Sequence, residues 1–112
     1  MDHADVIKFR DRLHREAEAL RAADADTAED RAPVELDQTS VGRLSRMDAM
    51  QHQAMASAQA RRRAGRLKAI AAALKRIEDG EFGWCLTCGE AIPQGRLDLD
   101  PTAARCVGCA AT

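Results

Sequence analysis

Residues 85–109 read "CLTCGEAIPQGRLDLDPTAARCVGC" and hold every cysteine of the chain. They form two C-x-x-C pairs, Cys85/Cys88 and Cys106/Cys109, with seventeen residues between them. Each pair places two thiolates on one side of a tight turn, within reach of a single ion at a Zn–S distance of about 2.3 Å. Gly89 follows the first pair and Gly108 lies inside the second. Glycine there permits turns whose N–H groups point at sulfur. Four thiolates around one zinc leave no position for water or substrate, so the site is structural and zinc catalysis is excluded. A tetrathiolate iron centre satisfies the same spacing and stays open here. Disulfides need an oxidising compartment, to which nothing in the sequence points. Around the cysteines there are only Leu86, Ile92, Leu97, Leu99 and Val107 for a core, so metal binding supplies much of the folding free energy of this end.

The rest of the 112 residues suits paired helices. Aromatic residues are only 3%, namely Phe9, Phe82 and Trp84, while 46% are apolar and 31% charged. Alanine and leucine can fill a narrow seam with charge on the outside. Val6, Phe9, Leu13, Ala17 and Leu20 recur at helical spacing and predict a helix over about residues 3–24. Pro33 breaks the pattern, and residues 25–39 read as a connecting loop. A long helix is predicted over about 40–79, capped by Asp37, Thr39 or Ser40 and stopped at Asp79-Gly80 with Gly80 at C′. Leu67, Ile70, Leu74 and Ile77 step by three, four and three, a coiled-coil seam. Upstream the stripe is expected to run through Val41, Leu44, Met47 and Met50, then Ala54, Met55 and Ala58. The fold class predicted is mostly α, an antiparallel coiled-coil helical hairpin (residues 1–79) joined to a small four-cysteine zinc finger (residues 80–112).

Charge is unevenly spread over a net charge of −1. Residues 1–40 carry 6 Lys/Arg against 11 Asp/Glu, residues 41–79 carry 9 against 3, and residues 80–112 carry 2 against 4. An acidic arm and a basic arm attract one another when packed antiparallel. The chain has no apolar run of transmembrane length, and its first residues lack the apolar core of a secretory signal. No membrane association and a cytoplasmic location are expected. His3, His14 and His52 have no obvious catalytic partners in sequence, so an enzyme is not expected.

The cysteine spacing also resembles GATA-type DNA-binding fingers. Those place a helix and a basic tail after the last cysteine, where this sequence has Ala110, Ala111 and Thr112. The finger is acidic, when a DNA reader is basic. The best support for DNA binding is "ARRRAGRLK", residues 60–68.

The stretch "LKRIEDGEFGWCLTCGEAIPQGRLDLDPTAARCVGC" resembles the DksA/TraR family of bacterial transcription regulators. It shares "IEDGEFGWC", both cysteine pairs, "GEAIPQGRL" and "PTAARC" over about residues 70–109. The resemblance implies a coiled-coil hairpin on a four-cysteine zinc finger with one structural Zn2+. It implies a monomer that binds RNA polymerase through the secondary channel and modulates initiation, often with ppGpp, without sequence-specific DNA binding. A structural zinc module with some other protein partner is the remaining alternative. The family carries a D-x-x-D-x-A pattern at the hairpin tip. Aligned from Cys85, its acids fall on Gly42 and Ser45 and its alanine on Met47. Asp37 and Asp48 are the candidate tip acids here. Of the family's basic alarmone contacts, Arg62 matches one, two others fall on Gly65 and Ala69, and the arginine before "PTA" is Asp100.

Overall fold

The computed structural model describes residues 1–31 and 43–111. The order of elements is α1 (His3–Asp26), a 3-10 turn (Ala28–Arg31), α2 (Arg43–Glu78), α3 (Gln94–Leu99) and α4 (Val107–Ala110). The chain forms two compact units: Met1–Glu18 with Leu67–Thr112, and Ala19–Arg66.

α1 begins where Asp2 can cap it. The Asp2 carboxylate accepts the amide of Asp5 at 2.9 Å, satisfying one of the free N–H groups of the first turn. That bond, with further help from neighbouring amides, holds the Asp2 carboxyl below the usual range. At the far end of α2, Gly80 adopts φ +75. The amides of Gly80 and Glu81 return to the carbonyls of Ile77 and Arg76, the double bond of a Schellman cap. A side chain at that φ is strained, which is why the sequence stops the helix on glycine.

In the first unit, α1 and the last turns of α2 run antiparallel and share a core with the finger. Phe9, Leu13 and Ala17 are buried from α1, Ile70 and Ala73 from α2, and Phe82, Ile92 and Leu97 from the finger. The rings of Phe9 and Phe82 meet at 5.6 Å and 50°. Two arginines fasten the finger to the helices. Arg12 Nη1 donates to Asp98 O at 2.6 Å, and Arg76 Nη2 donates to Thr102 O at 3.3 Å. Ala73, which the stepping of Leu67, Ile70, Leu74 and Ile77 passes over, is fully buried, whereas Leu74 is half-buried.

The second unit corrects the expected stripe. Met47, Met50 and Met55 are 57%, 53% and 59% exposed, and Ala54 is exposed as well. On α2 the half-buried positions there, among those described, are Arg46, Gln53, Ala56, Ser57, Ala58, Ala60, Arg63 and Arg66. Ala58 agrees with the predicted stripe and the methionines do not; Val41 of that stripe lies outside the described residues. Polar bonds fix this orientation. Arg63 donates to Asp24 Oδ1 at 3.3 Å and to Thr27 Oγ1 at 3.0 Å. Arg31 Nη1 stands 3.4 Å from Asp24, and Gln53 Nε2 donates to Arg31 O at 3.4 Å. The Arg63 side chain is only 14% exposed, so its charge requires these partners. They turn Arg63 inward and leave the methionines outside. α1 itself continues to Asp26, two residues beyond the predicted end, and is closed by Thr27, whose Oγ1 donates to Ala23 O at 2.7 Å.

Candidate metal centre

Cys85 and Cys88 sit on a turn that opens the finger. The amide of Cys85 donates to Glu90 O and that of Ile92 to Gly83 O, both at 2.8 Å. This isolated antiparallel bridge between Trp84 and Ala91 closes the loop carrying the first pair. Gly89 turns the chain back with φ +76, and its amide donates to Cys85 O at 3.0 Å. Gly83 sits at φ +93, and a Cβ on it would stand 2.9 Å from the Met1 side-chain methyl. The second pair has a different support. Cys106 is the N-cap of the one-turn helix α4, which carries Cys109 three residues on, so both sulfurs lie on one face. The two loops are tied by Leu86 N–H to Ala104 O at 2.9 Å and by Arg96 Nε to Arg105 O at 2.7 Å. Asp100 accepts both the amide and the hydroxyl of Thr102, at 3.0 and 2.7 Å, shaping the approach to the second pair.

All four Sγ atoms lie within 4.8 Å of one another. Cys88 Sγ and Cys106 Sγ are 3.8 Å apart. A regular tetrahedron with Zn–S of about 2.3 Å has edges of ~3.8 Å, so the cluster has the size of a zinc site. Cys85 is buried, Cys106 and Cys109 half-buried and Cys88 exposed. The four thiolates hold one structural zinc ion and leave no coordination position open.

Electrostatics show why this cluster requires a cation. The Cys85 thiol is pulled down to about 6 by the amides of Cys88 and Cys106 that point at its sulfur. The Cys109 thiol is pushed up to about 12, first by the sulfur of Cys106, then by those of Cys85 and Cys88. For Cys88 the Glu90 amide lowers the pKa, but the Cys85 sulfur and burial outweigh it, and the net shift is upward. The Cys85 thiolate is stabilised while Cys88 and Cys109 stay protonated, because like charges cannot crowd into one sphere without a counter-charge. Zinc binding near neutral pH therefore expels protons from at least Cys88 and Cys109. Each unit of acidification should weaken zinc binding by at least about 100-fold, the slope for two released protons. Competition with a chelator around neutral pH measures the slope; a slope clearly below two protons would contradict this assignment.

The other candidate residues do not join this cluster. Asp48 and Arg62 are both exposed on α2 in the second unit. Fourteen residues apart on one helix, they are separated by ~21 Å along its axis. Asp37 lies outside the described residues. Arg12 and Arg76 leave no signal in the sequence, because their contacts are with backbone carbonyls and no sequence pattern marks such a pairing. Among the described residues, no helix is long and apolar enough to cross a membrane.

Comparison with known proteins agrees with this geometry. Residues 80–112 match the family model of the prokaryotic dksA/traR C4-type zinc finger. A 43-residue segment is 44% identical to the RNA polymerase-binding transcription factor DksA of Escherichia coli (strain K12), covering 38% of this chain and 28% of that protein. The DksA of Haemophilus influenzae is also 44% identical over 43 residues, with 30% of its length covered. The matched segment thus spans less than a third of these relatives. The structure of transcription factor DksA2 from Pseudomonas aeruginosa superposes with a TM-score of 0.78 at 27% identity, covering 99% of this chain and 84% of that one.

Proposed function

We propose that this chain, whose residues 80–112 are a DksA/TraR-type C4 zinc finger, is a DksA-like regulator that binds RNA polymerase and modulates transcription initiation. The carrying observation is the pairing of a 43-residue segment 44% identical to an RNA polymerase-binding factor with a whole-chain likeness to the DksA2 structure. In this reading the finger is the rigid base and the paired helices are the part that enters the polymerase. They reach into the secondary channel, where Asp37 and Asp48 act near the active site and Arg62 contacts polymerase or ppGpp. The protein works as a monomer in the cytoplasm, where polymerase is, and does not read DNA sequence. The closed tetrathiolate site supports a structural, non-catalytic role for the metal.

The test is co-purification with core RNA polymerase, followed by in vitro transcription from a stable-RNA promoter with and without ppGpp. Wild type should bind and change transcript yield. Asp37→Asn and Asp48→Asn should retain binding and lose most of the transcriptional effect. Absence of both binding and effect at micromolar protein would reject the reading. Equal activity of both variants would reject the role of the two acids.

A further inference from the structure

The second unit, Ala19–Arg66, is built differently from the first. None of its described residues is fully buried, and among its described side chains Leu20 is the only large apolar one even half-buried. The other inward apolar positions are alanines: Ala23 of α1, and Ala56, Ala58 and Ala60 of α2. Uniform small side chains specify a helix pair poorly. Sliding one helix along the other by one turn replaces Ala56 and Ala60 with Ala60 and Ala64, so apolar packing changes little between the two registers.

Arg63 makes the registers unequal. Its Nε and Nη2 both donate to Asp24 Oδ1 at 3.3 Å, and Nη2 also donates to Thr27 Oγ1 at 3.0 Å. Arg31 closes the cluster from the same side as Asp24. Its Nη1 donates to Thr27 Oγ1 at 3.2 Å and to Asp24 O at 3.1 Å. A one-turn slip carries Asp24 and Thr27 about 6 Å along the helix axis. All three bonds of Arg63 then break, and a guanidinium that is only 14% exposed loses its counter-charge. Gln53 and His52 also reach across, to Arg31 O and Asp30 Oδ1, each at 3.4 Å. His52 and Asp30 are an exposed pair, which selects weakly.

We infer that Arg63 is a positioning residue: its bonds to Asp24 and Thr27 select one register of the helices in the second unit, and that register sets the protein's effect on transcription. The link to transcription rests on the proposed polymerase function; the choice of register stands without it. Fixing register is the best-attested use of a lone inward polar group in paired helices.

The test is amide NMR of the 15N-labelled, zinc-loaded full chain, with circular dichroism. Wild type should give one set of signals for residues 19–27 and 53–66. Arg63→Leu exchanges charge for apolar area and does not strand Asp24, which is 45% exposed and still 3.4 Å from Arg31. This variant should keep wild-type helicity and zinc content. Its signals over those residues should split or broaden by exchange, with residues 80–109 unchanged. Arg63→Lys keeps a cation for the single oxygen Asp24 Oδ1 and should return one set. On polymerase, Arg63→Leu should half-saturate at the wild-type concentration and lose most of the maximal effect on transcript yield, a split that separates positioning from lost binding. One sharp set in Arg63→Leu, loss of helicity in place of split signals, or splitting that Arg63→Lys leaves intact would overturn the assignment of register. A full transcriptional effect from a variant with split signals would overturn the link to transcription. A wild type that neither binds nor affects polymerase would reject that function and the link with it, while the spectra still decide the register.

Discussion

Replacing Cys106 with serine should abolish stoichiometric zinc binding and unfold the finger. Native mass spectrometry should find one zinc per chain in the wild type and none in the variant. The reason is that metal binding here is folding. Structural zinc in finger peptides contributes roughly 10–16 kcal/mol of apparent binding free energy at neutral pH, and a finger with few buried apolar residues has little to set against its loss. Among the described residues of the finger, those buried are Phe82, Gly83, Cys85, Ile92, Leu97 and Pro101, and Cys85 is itself a ligand. Hydrogen exchange should report the loss at the amides of Cys85 and Ile92, which are bonded to Glu90 and Gly83 across the first loop. The effect should reach α1, because Phe9 packs on Phe82. Unaltered protection of the Ile92 amide in the zinc-free variant would show that the finger holds its shape without metal, against the electrostatics of the four thiols.

Leu13→Ala should cost about 3–4 kcal/mol, the range for a large aliphatic side chain removed from a core that cannot collapse around the gap. Leu13 is fully buried in the first unit. In a chain of this size the loss corresponds to a fall in Tm of more than ~10 °C. The informative control is Met55→Ala. Periodicity places Met55 on the seam with Leu67 and Ile70, but it is 59% exposed, and its truncation should change stability by no more than about 0.5 kcal/mol. Comparable losses at the two positions would restore the sequence-based stripe and contradict the observed orientation of α2.

Those two positions mark where the sequence could be read. Phe9, Leu13 and Ala17 stand out because helical periodicity concentrates apolar groups on one side, and the core takes them as expected, while Val6 packs half-buried at its edge. The thiols are legible because ligand geometry is local: two short turns and two glycines suffice to aim four sulfurs. Gly80 is legible for the same reason, since a left-handed C′ residue is a property of a few consecutive bonds. The methionines mislead because apolar content alone does not mark the inner face. Over that part of α2 the inner face is instead chosen by Arg63, whose partners Asp24 and Thr27 lie 39 and 36 residues away.

Residue spacing alone marks a mostly helical protein with a four-thiolate metal centre and a glycine-terminated long helix leading into it. These depend on interactions spanning a few residues, and their spacing records them. Packing in three dimensions sets which face of α2 turns inward, and how Arg12 and Arg76 hold the finger through carbonyls of Asp98 and Thr102. The physical reason is range. A buried arginine and a backbone acceptor are chosen by three-dimensional proximity, and neither leaves a period in the sequence.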